Sequence, residues 1–217
     1  MKQINWSDHI LNFVAVIMGV SMAFYISSSS ERQKEKRELT HILTSLIDEL
    51  QEDRETFDEY QITSNENQSK ALGDVLQRLV SGNTDSLELK FSNAITINNY
   101  HPFGVTFKSI SYSGKLELID DFELRTEISN YHELMASEAM LRGEAQYNFF
   151  MNQLMPWMIK NTSLVNPDVS KLVGNDELIN ILILYKSMLD NKLRSYYDLS
   201  EAAGTLEEKL NHLLSEE

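Results

Sequence analysis

Apolar positions fall along this chain in two ways: one unbroken run near the N-terminus, then a series of stripes at helical spacing. Residues 10–26 read ILNFVAVIMGVSMAFYI, seventeen positions without a formal charge, with Asn12 and Ser21 the only clearly polar members. A bilayer core of about 30 Å is crossed by roughly 20 apolar residues at ~1.5 Å each. Trp6 and Tyr25 add aromatics that favour the lipid–water interface, and the serines at 27–30 can carry the helix through the headgroups. The pattern predicts a membrane anchor over residues 1–29, presented to lipid by Trp6, Ile10, Phe13, Val16, Ile17, Val20, Phe24 and Tyr25. Two other readings stay open. A cleaved signal peptide is disfavoured by an n-region holding only Lys2, and a buried core helix rarely opens a chain with polar flanks on both sides.

After the anchor an apolar seam runs Leu39, Leu43, Leu46, Leu50, Phe57, Tyr60, in steps of 4, 3, 4, 7 and 3. Asp53 stands where the seven-residue step passes, and Ile42 and Ile47 widen the stripe. This heptad-like spacing predicts a helix over residues 30–62, roughly 48 Å long, that nothing separates from the anchor. Residues 63–69 (TSNENQS) read as a turn. A shorter helix is expected on Leu72, Val75, Leu76, Leu79 and Val80, stopped at Ser81-Gly82-Asn83. Residues 85–100 alternate only weakly and are expected to be irregular, with room for a short strand or helical turns; residues 103–112 suit a short helix ended by Ser113-Gly114.

A second long pattern starts after the capping pair Asp120-Asp121 and runs through Leu124, Ile128, Tyr131, Leu134 and Met135 to about Met155, where Pro156 is expected to kink or end it. Residues 161–175 read as a loop with at most one helical turn. The last pattern is the clearest: Leu182, Tyr185, Leu189, Lys192, Tyr196, Leu199, Ala203, Leu206, Leu210 and Leu213 alternate steps of three and four, with Lys192 the polar exception. It predicts a helix of roughly 58 Å over residues 176–214. Helices with one apolar face must bury it against one another. The expectation is an all-α protein: an N-terminal transmembrane helix continuing into a long antiparallel helical bundle over residues 30–217. If the long helices pack antiparallel, Asp53 and Lys192 are candidates to meet and fix the register.

Composition narrows the function classes. Lys and Arg total 19 against 33 Asp and Glu, a formal charge of −14, a field that repels nucleic acid. With no cysteine the chain has no disulfide, thiolate metal site or cysteine nucleophile. Three prolines and eight glycines leave room for long helices. After the span come Arg32, Lys34, Lys36 and Arg37, against Lys2 before it; taken alone, the positive-inside rule puts the bundle in the cytoplasm, but the margin is small and sidedness stays open.

The anchor ending GVSMAFYI, the charged run behind it and the later SYSGKLELIDDFELRTEISNYHEL together resemble a family of uncharacterised bacterial membrane proteins. The family's S-G-x-L-x-L-I-x-x-x-x-L-R-x-x-(I/L)-x-x-Y segment falls on Ser113, Gly114, Leu116, Leu118, Ile119, Leu124, Arg125, Ile128 and Tyr131. The resemblance covers about a third of the chain. It implies a single-pass protein of the bacterial inner membrane and brings no activity. Family members often carry a basic segment before the anchor, where this chain has only Lys2. Physically the motif suits a helix stop at Gly114, a cap from Asp120 or Asp121, and an i, i+4 pair between Asp121 and Arg125.

Candidate chemistry is thin. Glu38 and His41 match one Glu-x-x-His, which di-iron bundles need twice, and a chance match is the better reading. No nucleophile elbow, phosphate loop, dinucleotide fingerprint or zincin motif is present. No enzyme, cofactor or metal is therefore expected. Residues 147–158 (YNFFMNQLMPWM) suit either core or a contact surface, with Tyr147, Phe149, Phe150, Met155 and Trp157 as its candidate residues. The function expected is a structural, accessory or protein-interaction subunit of a membrane assembly, or a homo-oligomer through the heptad helices. The alternative is a membrane-anchored sensory module that signals through a partner.

Overall fold

The computed structural model describes residues 6–102, 104–163 and 168–216, with side chains from Phe13 onward, and every regular element among them is helical. Helix α1 (Trp6–Glu55) passes through a π turn (Thr56–Ile62) into α2 (Thr63–Ser81) without a break, giving one rod. Helix α3 (Leu87–Ala94) folds back on α2, an extended segment follows, and α4 (Val105–Ser113) packs on α1. A second rod joins α5 (Phe122–Ser129), a π turn (Asn130–Met135), α6 (Ala136–Phe149), another π turn (Phe150–Leu154) and α7 (Met155–Asn161). Helix α8 (Asp176–Glu216) is the third rod and runs antiparallel to the other two.

Contacts at both ends fix these directions. At the end nearer the apolar stretch of α1, Lys209 reaches Glu127 at 2.6 Å, and Glu207 takes a hydrogen bond from Gln51 at 2.7 Å and an ion pair from Arg54 at 2.8 Å. At the far end, Trp157 Nε1 donates to Glu177 at 3.0 Å and Gly174 N donates to the Leu79 carbonyl at 3.0 Å. The caps form as their chemistry requires. Asp121 accepts from the Glu123 and Leu124 amides, and Gly114 ends α4 with a φ of 74° that an L side chain rarely adopts. Arg125 departs from the expected pair with Asp121. That carboxylate is occupied by the two amides, and the guanidinium turns to the Ile119 and Asp120 carbonyls and to Glu117.

Apolar burial falls into two clusters, both built on α8. The proximal one joins Leu43, Leu46, Leu50 and Phe57 to Ile128, Leu199, Leu206 and Leu210. The distal one joins Leu72, Val75 and Leu79 to Leu154, Trp157, Leu182 and Leu189. Each fully buried leucine contributes on the order of 1.5–3 kcal/mol.

The two long seams change phase at the π turns. On the first rod Phe57 is followed inward by Ile62, a step of five, so Tyr60, expected in the seam, is 66% exposed. The second rod repeats the device. Tyr131 is followed by Ala136, and Leu134 swings out to 64% exposure. A π turn holds one residue more than an α turn, which rotates everything beyond it on the helix. At Pro156 the rod continues rather than ends, because the π turn just before it widens the helix where the pyrrolidine ring would press on the preceding turn.

The expected turn at 63–69 is instead helix. Asn65 and Gln68 face inward, so the polarity of TSNENQS marks buried partners rather than solvent. In the stretch 85–100, expected to be irregular with at most a short strand or helical turns, residues 87–94 form a regular helix, α3, whose Leu87, Phe91 and Ala94 are buried against α2. In the 161–175 loop a single 3-10 turn, Val169–Lys171, is present, and residues 164–167 lie outside the described residues. The predicted domain boundary at residue 29 falls inside α1.

Candidate functional site: a buried polar layer and its strap

Between the two apolar clusters lies a layer of buried polar groups: Asp53, Asn65 and Gln68 on the first rod, Gln146 on the second, and Lys192 and Ser195 on α8. Three of the six, Asp53, Gln68 and Lys192, bond to one segment, residues 94–100, which runs as a strap among the rods, while Asn65 and Ser195 donate to the carbonyls of Gln61 and Asn191 on their own helices. Gln68 Nε2 donates to the Ala94 carbonyl at 3.0 Å and also to that of Thr96. The Tyr185 hydroxyl donates to Thr96 O at 3.1 Å, and Gln146 comes up to the same phenol. Lys192 Nζ donates to Asn98 O at 2.7 Å and Asn99 Oδ1 at 3.0 Å. Asn99 Nδ2 then reaches Gly143 O at 3.2 Å, an approach that a Cβ on Gly143 would crowd at 3.2 Å. The Tyr100 amide donates to the Tyr196 hydroxyl at 2.9 Å.

Asp53 is the centre of the lower edge of this layer. Its Oδ1 accepts from the Tyr100 hydroxyl at 2.7 Å and its Oδ2 from the Tyr131 hydroxyl at 2.8 Å. Phe57 packs edge-on against Tyr100 and tilted against Tyr196, with ring centroids 5.2 and 5.3 Å apart. Burial raises the Asp53 pKa in spite of the two phenols, and Glu49 and Glu52 push the same way. Burial, then Asp53 itself, pushes both tyrosines up. One turn below, Glu49 Oε1 accepts the Thr106 amide at 2.7 Å and supplies the N-terminal cap that Gly104 cannot. His132 stacks on Phe107 at 4.7 Å, and burial holds it neutral, down to about 4.

Asp53 and Lys192 therefore form no ion pair. The two polar seam residues are held separately by neighbouring residues of the strap, which saves each the full cost of an uncompensated buried charge. For Lys192 that compensation is only from neutral acceptors, and desolvation lowers its pKa to about 7. Both side chains are buried, and through them the layer ties the rods and the strap together.

The remaining candidates are dispersed. Glu38 pairs with Lys115, His41 lies 3.5 Å from Ser45, and no three His, Asp or Glu side chains among the described residues are grouped to hold a metal ion. The expected contact segment splits. Phe150 and Trp157 belong to the distal core, which removes them from any surface; Phe149 and Met155 are half-buried against it, and Tyr147 is exposed. The anchor side chains Phe13, Val16, Ile17, Val20, Phe24 and Tyr25 are exposed, from 48% at Ile17 to 76% at Tyr25. Trp6 and Ile10 lie on α1 with their side chains outside the described residues. Within the first rod an 18-residue stretch of mean hydropathy 1.6 is unburied, making this helix long and apolar enough to cross a membrane. From residue 27 to residue 37 the helix stands clear of the bundle.

Sequence reasoning missed Tyr100, Tyr131, Gln68 and Gln146 as members of the layer. The only local signal was Asp53 and Lys192 standing in apolar seams. Compared with family models, with curated proteins and with solved structures, the chain finds no match.

Proposed function

We propose that this chain is a single-pass protein of a bacterial inner membrane, acting as an accessory or protein-interaction subunit of a membrane assembly. The observation that carries the reading is the outer face of the second rod. There Leu134, Leu141, Tyr147, Met151 and Ile159 are exposed, on a bundle that buries two apolar clusters of its own. Large apolar side chains left exposed along one rod are candidate protein contacts. An unburied apolar helix continuous with the bundle supports the anchor.

The test is extraction from native membranes in mild detergent, followed by identification of the co-purifying chains. The full-length protein should resist carbonate washing and emerge with a stoichiometric partner. Recovery alone and monomeric would overturn the subunit reading; release by carbonate would overturn the anchor.

A second reading, a sensory module that signals through a partner, draws on the rod itself. The helix that leaves the anchor carries Asp53 and a π turn into the polar layer, so a change there has a direct path to the anchor. A partner recovered only under one condition of pH or ligand would favour it.

A further inference from the structure

Low on the bundle the second rod and α8 do not close against each other. Two adjoining depressions of about 480 and 370 Å³ follow their seam, with Glu127 and Lys209 in the walls of both. The floor is apolar, formed by Tyr131, Met135, Ala202 and Leu206, then by Leu124 and Leu213 toward the end nearer the apolar stretch of α1. Sequence explains the opening. On this face α8 presents the short side chains Ala202 and Thr205, and the π turn at Asn130–Met135 turns Leu134 away from the seam instead of into it. The rim is mainly acidic. Glu123, Asp198 and Glu201 are exposed and make no ion pair among the described residues, while Lys209 is taken up by both oxygens of Glu127 at 2.6 Å.

We propose that this groove is a docking site for a basic amphipathic helix of a partner protein; the proposal rests on the interaction-subunit reading. A helix lying along the seam would set apolar anchors at i, i+3 or i+4 and i+7 on the floor. Lysines or arginines flanking its stripe would meet the three unpaired carboxylates, and an acidic helix would be repelled from them. A second copy of this chain is the poorer occupant. Outside the run at residues 32–37 its charges sum to a net negative, the sign of the groove.

The experiment uses the full-length protein in nanodiscs. The probe is a fluorescent helical peptide of about eighteen residues, leucines on one stripe and lysines flanking it; a twin carries glutamates for lysines. The lysine peptide should bind and its twin should not. Asp198→Lys with Glu201→Lys should weaken binding by about tenfold or more, and Thr205→Trp, which fills the groove from an exposed position, should do the same. Glu55→Lys with Glu59→Lys, the same charge change on exposed positions of the first rod, should leave affinity within about twofold. Circular dichroism of each variant confirms that it is folded.

Absence of binding, equal loss in the first-rod variant, insensitivity to Thr205→Trp, or a dimer that Thr205→Trp dissolves would each overturn the proposal. If a partner co-purifies from native membranes while the peptide fails to bind, the groove assignment falls and the subunit reading stands.

Discussion

The Tyr131 hydroxyl lies 2.8 Å from Asp53 Oδ2, joining the first rod to the second across the lower edge of the polar layer. With Tyr100 on the other oxygen, Asp53 holds two rods and the strap at one point. Replacing it with alanine leaves two buried phenols without an acceptor. Asp53→Ala should lower stability by about 2–4 kcal/mol, read by thermal or denaturant unfolding in detergent.

The pH dependence has a definite sign. Burial raises the pKa of Asp53 in the folded protein, so the folded state holds that proton more tightly than the unfolded chain, whose value is about 3.9. The contribution to stability is complete below that value. It is lost as pH rises through the raised folded pKa, and is constant above it. Asp53→Asn, which can still bond both phenols, should remove the fall in stability that begins as pH rises above the unfolded value. An unchanged slope would show that Asp53 is not the group responsible.

Lys192 acts in the other pH range. Desolvation brings it to about 7 in the folded state, against roughly 10.4 in the unfolded chain. Between those values the unfolded chain binds more protons, so stability should climb from about pH 7 to pH 10 and be level below 7. Lys192→Met, close in volume, should flatten that climb. Parallel melting curves for the two proteins across this range would contradict the assignment.

Because α8 contributes to both apolar clusters, the bundle should unfold as one unit. Leu46→Ala in the proximal cluster and Leu189→Ala in the distal one, both fully buried, should each lower stability by about 2–5 kcal/mol. Each should shift the helical signal and the fluorescence of Trp157, which sits in the distal cluster, to the same midpoint. Separate midpoints in the Leu46 variant would mean two independent units.

Gly114 and Gly143 should respond differently to alanine. At Gly114 a Cβ meets nothing within 4 Å, so the loss comes from the positive φ alone, about 1–2 kcal/mol. At Gly143 a Cβ gains helix propensity but presses on Asn99, which also holds Lys192. Gly143→Ala should therefore steepen or displace the alkaline pH response, whereas Gly114→Ala leaves it in place. Overlaid pH profiles of the two variants would contradict this.

Most of the architecture could be read from spacing. On α8 the seam from Leu182 to Leu210 is buried at each position named from the sequence, Lys192 included, because nothing disturbs its phase. Where the reading failed, the cause was tertiary. An α-helical period placed Tyr60 and Leu134 inside; packing introduced π turns that moved Ile62 and Ala136 there instead. TSNENQS looked like a turn because its two inward amides find carbonyls that local spacing does not reveal: Asn65 turns back to Gln61, and Gln68 reaches Ala94 and Thr96 nearly thirty residues on. Asp53 and Lys192 drew attention as seam interruptions, yet their partners Tyr100 and Asn98 lie on an extended strap with no periodicity to locate it.

The unbroken first rod has a mechanical meaning. From Ile26 to Ser81 it extends about 80 Å beyond the apolar segment, with α8 and the second rod bracing its upper part while residues 27–37 are exposed on every side of the helix. With that segment in lipid, as proposed, a lean of about 20°, ordinary for a membrane helix, would carry the tip sideways by nearly 30 Å. A small pivot at the bilayer thus becomes a long sweep of the head, which sets how wide a circle of neighbours the molecule can touch.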